Sequence, residues 1–302
     1  MRALLVFNPN ATTTDDGVRD VIASALASTV DLEVVATKQR GHATHLVAGA
    51  VHEGVEAVFA LGGDGTANEV LQALAGTDVL LGIIPGGGAN VLARALGLPN
   101  DAVDATAVVL DHLRAGRDRR ITLGRAGTRY FGFNAGYGFD AAVVRHVEQH
   151  PDRKRRFKQG AFVYATAHEW FVGSRREGTA ITVRTPDGID HGPFALTLLA
   201  NADPYTYLGD RPMRAHPDAR FELGLDLLAI PAVGTTALLR ILSRAFAEGG
   251  HVARGEVRYW HDLDGFTLTA TEPQPLMVDG DYAGEHRSVT FTAVRDALRV
   301  LA

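Results

Sequence analysis

The sequence predicts an α/β domain built on a parallel sheet, followed by a β-rich domain of sandwich type. Three observations carry that reading. Over residues 2 to about 121, short apolar β-rich runs alternate with amphipathic helical ones, the order expected of a parallel sheet covered by helices on both faces. Three of the predicted strands in this stretch stop at turn-forming residues, which puts three loops on the carboxyl edge of the sheet, where such sheets bind ligands. Beyond about residue 121 the texture changes to strands in hairpin-like succession, separated by turns such as Pro186-Asp187-Gly188.

Taken in order, the first strand, residues 3–7, is too short for a signal-peptide core and ends in Asn8-Pro9-Asn10. Helices are predicted over 17–28, 43–53, 67–75, 90–96 and 102–115, with strands over 32–36, 57–61 and 79–84 between them. The 57–61 strand runs into Gly62-Gly63-Asp64-Gly65-Thr66-Ala67-Asn68-Glu69. Its glycines let the backbone approach a ligand closely, and the helix behind them offers unpaired N–H groups and a positive dipole end, an arrangement that suits phosphate. Asp64 inside that turn would repel a lone phosphate, so a divalent cation between carboxylate and phosphates is implied. The same residues also read as a tight βα loop with an acidic N-cap.

A second glycine turn, Pro85-Gly86-Gly87-Gly88, follows the 79–84 strand and feeds a helix near Asn90. Neither turn carries the Lys-Ser/Thr of a P-loop or the spacing of a dinucleotide fingerprint. In the second half, strands are predicted over 128–133, 179–184, 194–201, 225–231, 256–259, 265–270, 276–278 and 288–293, with helices over 160–172 and 235–247.

Composition narrows the class. The 302 residues suffice for two cores, and 46% hydrophobic with 22% charged content is that of an ordinary globular protein. The longest apolar runs, such as residues 195–200, are far too short for a transmembrane helix. A net charge of −5 argues against bulk nucleic-acid binding. The absence of cysteine excludes a disulfide framework and thiolate-ligated zinc, and fits a cytoplasmic setting.

Together the glycine turns resemble the catalytic domain of the bacterial diacylglycerol kinase family, which also includes sphingosine and ceramide kinases. The resemblance extends over essentially the whole chain. It is carried by Asn8-Pro9, Thr37 followed by Gly41-His42-Ala43, the run from Gly62 to Val70, Ile84-Pro85-Gly86-Gly87-Gly88-Ala89-Asn90, Gly136-Tyr137-Gly138-Phe139-Asp140-Ala141, and Val278-Asp279-Gly280-Asp281. It implies a Rossmann-like nucleotide domain over 1–121, a β-sandwich-like lipid domain over 122–286, and a segment 287–302 packing back toward the first, with ATP in the cleft between the domains. The implied activity is ATP- and Mg2+-dependent phosphorylation of the hydroxyl of diacylglycerol or a related lipid alcohol, at the inner face of the cell membrane.

By that resemblance Asn8, Thr37, the backbone of Gly63, Asp64, Gly65, Thr66, Ala67, Asn68 and Glu69, and the turn of Gly86, Gly87, Gly88 and Asn90 would hold ATP. Thr66 and Asn68 would add side-chain hydrogen bonds, and Asp64 would act through Mg2+. Asp281 would accept the lipid hydroxyl's proton. The family usually has glutamate there, and Glu285 is the nearby substitute. The Asp279-Gly280 pair also reads simply as a hairpin turn. The chain departs from the family in two further places. Gly88 replaces a Thr or Ser and so lacks a hydroxyl. In Glu222-Leu223-Gly224-Leu225-Asp226, Leu223 stands where an aspartate often lies near a structural metal, and it cannot ligate one.

Two other readings stay open. An NAD kinase-like enzyme shares the Gly-Gly-Asp-Gly turn, but its second signature, Thr-Pro-Thr-Gly-Ser-Thr-Ala-Tyr, is absent. A nucleotide- or lipid-binding regulator without turnover is motivated by Gly88, Leu223 and Asp281. The basic run Arg153-Lys154-Arg155-Arg156-Phe157-Lys158 reads as a solvated face or as a contact with anionic lipid, to which each basic residue contributes about 1 kcal/mol. Phe162, Tyr164, Trp170 and Phe171 suit an acyl pocket or core packing equally. His42 and His45 have metal-compatible spacing but read better as a surface helix pair. A homodimer is allowed by the sequence and not specified by it.

Overall fold

The computed structural model describes residues 1–11, 15–150, 180–231, 235–247, 255 and 257–302. They form two compact units, one of residues 1–123 with 295–302 and one of residues 124–294.

In the first unit β1 (Arg2–Phe7), β2 (Asp31–Ala36), β3 (Ala57–Gly62) and β4 (Leu80–Pro85) pair in the order β4-β3-β1-β2, all parallel. Every residue of β3 and β4 is buried, which is why both read as unbroken apolar runs. Between and after the strands lie α1 (Asp16–Ala27), α2 (His42–His52), α3 (Asp64–Leu74), α4 (Val91–Ala95) and α5 (Ala102–Arg114). Side chains of Asp15 and Asp101 cap α1 and α5 by accepting from first-turn amides. α3 starts at Asp64, three residues before the 67–75 helix read from sequence. Gly65 and Thr66 have low helix propensity and hide its first turn.

The chain moves one way across the sheet from β1 to β2, then the other way through β3 to β4. Right-handed crossovers therefore put α1 on one face and α2 and α3 on the other. Accordingly α1 packs against α5, and α2 against α3. The direction reverses between β1 and β3, so the switch point lies where Asn8 and the Gly62-Gly63 turn leave the sheet. The last residues of the chain join the same sheet, Arg299 and Val300 running parallel to Leu80 and Leu81. The Arg299 guanidinium grips Asp118 bidentately at 2.5 and 2.9 Å.

The second unit carries the last residues of β5 (Arg119–Ala126), then β6 (Arg129–Phe131), β7 (Asn134–Gly138), α6 (Phe139–Glu148), β8 (Ile181–Arg184), β9 (Asp190–Phe194), β10 (Leu196–Ala200), β11 (Thr206–Leu208), β12 (Arg211–Met213), β13 (Leu225–Ile230), α7 (Thr235–Ala245), β14 (Arg258–Leu263), β15 (Gly265–Val278) and most of β16 (Asp281–Val300). Its strands pair antiparallel in the order β14-β13-β10-β7-β15-β16, with β8 beside β15 and β9 beside β8. β10 and β13 are buried along their whole length. Leu199, Leu225, Leu227 and Ala229 join a cluster with Tyr137, Leu268 and Phe291. Their neighbours Leu196, Leu198, Leu228 and Ile230 face the other way, onto Leu238 and Ile241 of α7.

Where this unit departs from the sequence reading, local chemistry explains it. The runs 265–270 and 276–278 are one strand, β15. Pro273 falls where its register with β16 breaks, between Thr269 and Gln274, and Pro275 stands at the edge of a second break, between Pro275 and Met277. β7 and α6 went unread because Gly136-Tyr137-Gly138 looks like a loop, although Gly138 at φ 92° joins strand directly to helix. The division between units falls inside β5 and β16, whereas the change of texture put it near 121 and the family resemblance put the second boundary at 286; a continuous strand carries no turn signal there. The helix read over 160–172, the basic run 153–158 and the aromatics Phe162, Tyr164, Trp170 and Phe171 lie outside the described residues. Among the described residues no helix is long and apolar enough to cross a membrane.

Candidate functional site

Both glycine turns emerge at the carboxyl edge of the first unit's sheet, Gly62-Gly63 after β3 and Gly86-Gly87-Gly88 at the end of β4. The Gly86 amide donates to the Gly62 carbonyl at 2.8 Å, which ties them together. A Cβ on Gly87 would stand 2.7 Å from the Gly63 Cα, and one on Gly62 would stand 2.5 Å from Thr66 Oγ1. The turns thus pack backbone against backbone, and only glycine permits it. Around Gly65 and Gly88 the space is open, with nothing within 4 Å of a built Cβ. The two turns form a cradle with a packed floor and an accessible rim.

Thr66 and Ala67 both donate to the Gly63 carbonyl, at 3.0 and 3.1 Å, so the amides of Asp64 and Gly65 precede the first of those bonds. Such leading amides, with the dipole behind them, are the donors that an anion meets at a helix start. Asn8 joins this edge through its amide, 3.2 Å from the Leu61 carbonyl, and its Oδ1 accepts from Asn10 at 2.9 Å. Thr37 follows β2, its amide 2.8 Å from the Phe7 carbonyl. The residues read as nucleotide contacts therefore share one edge of one sheet. The side chains of Thr66 and Asn68 are buried, and Asn68 Oδ1 accepts from Gln72.

Three of those residues do structural work that the sequence did not reveal. Asp64 Oδ1 accepts from the Leu92 amide at 3.1 Å, with the Val91 and Asn90 amides also bonded to its carboxylate, so it holds the start of α4. Glu69 accepts from the Gly41 amide at 2.7 Å and the Ala43 amide at 3.0 Å, and its carbonyl accepts from Thr44 Oγ1 at 2.7 Å. It caps α2, whose own N-cap, Gly41 at φ 82°, has no side chain to do so. Asn90, at φ 48°, brackets Gly87 by accepting from its amide and donating to its carbonyl, both at 2.9 Å. His42 and His45 are likewise engaged locally, each through Nδ1, by the Lys38 amide and the Gly41 carbonyl.

Magnesium can be tested against this donor set. Among the described residues no group of three His, Asp or Glu side chains converges, so a cage made of protein alone does not fit. A cation held mainly by phosphates and water, with one carboxylate beside it, does fit. Burial pushes the Asp64 carboxyl above its ordinary range despite the three amides that lower it, and a nearby cation would relieve that cost.

In the second unit Asp279 and Gly280 form the two-residue turn between β15 and β16, both at positive φ, 48° and 79°, as a type I′ hairpin requires. Buried Asp279 accepts from the amides of Gly132, Phe133 and Asn134 at 2.7, 3.0 and 3.2 Å, which fixes the turn. Asp281 follows at the start of β16, partly exposed, its Oδ2 3.0 Å from Arg129 Nη2. Glu285 is paired with Arg145 of α6 at 2.5 Å. Neither arginine had a sequence signal, since they lie 152 and 140 positions from their partners.

Asp140 stands in the quoted Gly136 to Ala141 motif, where it had no assigned role. Burial pushes its carboxyl up to about 6, while the Tyr205 hydroxyl donates to it at 2.7 Å and opposes the shift. Below the Leu223 position, protein groups do the holding. The Gly224 amide donates to Asp262 at 2.6 Å, and fully buried Asp226 accepts from the Tyr259 hydroxyl and the Asp262 amide and pairs with His261 Nδ1 at 2.8 Å.

Comparison with known proteins identifies the family. A profile of the diacylglycerol kinase catalytic domain matches residues 2–126. A solved diacylglycerol kinase structure from Bacillus anthracis superposes with a TM-score of 0.75 at 19% identity, over 99% of this chain and 96% of that one. An NAD kinase from Archaeoglobus fulgidus, solved in complex with ATP, superposes at 0.55 with 11% identity, over 100% of this chain and 94% of that one; this is likeness of fold alone. A Staphylococcus carnosus diacylglycerol kinase is 27% identical over 292 residues, 94% of this chain and 90% of its own. One from Mycobacterium tuberculosis is 33% identical over 235 residues, 76% of this chain and 72% of its own. A match of that length and identity, on a chain with this double glycine turn, makes the protein a member of the diacylglycerol kinase family.

Proposed function

We propose that this kinase transfers the γ-phosphoryl group of ATP to the hydroxyl of diacylglycerol or a related lipid alcohol, giving a phosphatidic-acid-type product at the inner face of the cell membrane. The observation that carries the proposal is the backbone-to-backbone packing of Gly63 on Gly87 at the switch point of a parallel sheet, a rigid phosphate cradle with an open rim. In phosphoryl transfer the protein mainly positions the nucleotide and steadies charge. The Asp64 and Gly65 amides and the Gly86 to Gly88 turn would do the first. Mg2+ beside Asp64 would neutralise charge on the β- and γ-phosphates.

The bond formed joins the lipid oxygen to the γ-phosphorus, and the bond broken frees ADP. The hydroxyl proton goes to a carboxylate. Asp281 is the candidate base, because it is reachable and Arg129 keeps it oriented. The names of the relatives support a lipid alcohol as acceptor.

The test is transfer of labelled γ-phosphate from ATP to a panel of diacylglycerol, sphingosine, ceramide and NAD. Label in phosphatidic acid is expected. Label in NAD would favour the competing kinase, and ATP binding without label in any acceptor would favour a regulator.

A further inference from the structure

α7 buries Leu238, Ile241 and Ala245 beneath it, yet its outer side is not uniformly polar. Leu239 is 60% exposed, and Phe246, the residue after the helix, is 40% exposed. Seven positions apart, they share one side across two turns. Arg240 and Arg244 lie between them, and residues 235–247 contain no acidic side chain, in a chain whose net charge is −5. The Arg214 amide, just past β12, donates to the Ala245 carbonyl at 2.7 Å, so the β11–β12 hairpin abuts the same helix end. That hairpin exposes Leu208, 44% accessible, beside Arg211. Of the eight exposed large apolar residues among those described, three lie on these two connected elements.

We propose that the outer face of α7, with the adjoining β11–β12 hairpin, docks the enzyme on an anionic lipid bilayer. Large apolar side chains set among arginines are the composition of an interfacial helix: the apolar groups enter the headgroup boundary and the guanidinium groups stay level with lipid phosphates. A chain of net negative charge is repelled by an anionic bilayer except through such a basic face. The inference rests on the lipid-alcohol reading only for its motive, because a substrate dissolved in a bilayer has to be met at its surface.

Partition onto vesicles tests it without turnover. On vesicles of equal phosphatidylcholine and phosphatidylglycerol at low salt, Arg240→Gln with Arg244→Gln should weaken partition about tenfold or more, and high salt should erase most of that difference. Leu239→Ser with Phe246→Ser should weaken it about tenfold at either salt. Both pairs are surface changes, so thermal midpoints should stay near wild type. Because the chain has no cysteine, Leu239→Cys carries a single environment-sensitive fluorophore. Its emission should shift to the blue with anionic vesicles, and a label at exposed Val21→Cys should not respond.

Equal partition of wild type and variants, or no shift at position 239, overturns the proposal. So does a dimer that falls apart on Leu239→Ser with Phe246→Ser while partition is unchanged, which would assign the face to a second copy of the chain. Phosphotransfer to a water-dispersed short-chain diacylglycerol should be unaffected by all four substitutions. Loss of transfer with partition intact would count against the kinase reading and leave the docking face standing.

Discussion

Around the glycine turns of the first unit, acidic side chains are engaged by backbone amides, Asp64 by the start of α4 and Glu69 by the start of α2. Around the β15–β16 hairpin of the second, Asp281 and Glu285 are held instead by the side chains of Arg129 and Arg145. The difference is instructive. Amides from a neighbouring segment fix a carboxylate into the scaffold, so it shapes a loop. A single arginine contact orients a carboxylate and leaves part of it reachable.

Breaking each side separately should give different failures. The largest effect is expected from Asp281→Asn, which should lower turnover about 100-fold or more while ATP affinity stays within about twofold. Wild-type turnover in that variant would pass the role to Glu285, checked with Glu285→Gln. On the binding side, Gly87→Ala drives a methyl group into the Gly63 backbone, 2.7 Å away. It should weaken ATP binding about tenfold or more by calorimetric titration and cost about 1–3 kcal/mol in urea unfolding. Gly88→Ala, in open space, should change stability by less than about 0.5 kcal/mol. Equal effects at 87 and 88 would contradict the packed-floor geometry.

Glu69→Gln sharpens the comparison further. An amide cannot accept from both the Gly41 and Ala43 N–H groups, so the cap is half lost, at about 1–2 kcal/mol. KM for ATP should rise about fivefold with kcat nearly unchanged; a fall in kcat alone would place Glu69 in the chemistry.

The smallest effect concerns Asp140, raised from 3.8 to about 6 by burial. Between those values the folded state holds more protons than the unfolded one, so stability falls as pH rises through that window and the cost is fully present above it. Asp140→Asn keeps an acceptor for Tyr205 and removes the slope. At about pH 7 the variant should gain on the order of 1 kcal/mol relative to its position at about pH 4, read from urea midpoints. Parallel pH profiles for the two proteins would contradict the shift.

What was legible in the sequence follows the same division. β1 to β4 and their helices were readable because continuous apolar runs, 3.6-residue spacing and glycine punctuation are all local signals. The paired glycine turns were readable because Gly62 to Thr66 and Gly86 to Gly88 each lie within one turn. The uses of Asp64, Glu69 and Asn90 were not, since a carboxylate looks the same in sequence whether it faces a ligand or caps another helix. Arg129 and Arg145 were invisible for a different reason: their partners are brought to them by the antiparallel fold of the second unit, across more than a hundred residues. Asp279 is the intermediate case, legible as the Asp of an Asp-Gly turn but not as the acceptor of three buried amides.

Hydrogen exchange of the full chain, with and without Mg2+ and a non-hydrolysable ATP analogue, tests the cradle most directly. Slowed exchange is predicted at the Asp64 and Gly65 amides and across Gly86 to Gly88, with the amides of Asp279 to Asp281 unchanged. Protection confined to the second unit, with the glycine turns exchanging as before, would contradict it.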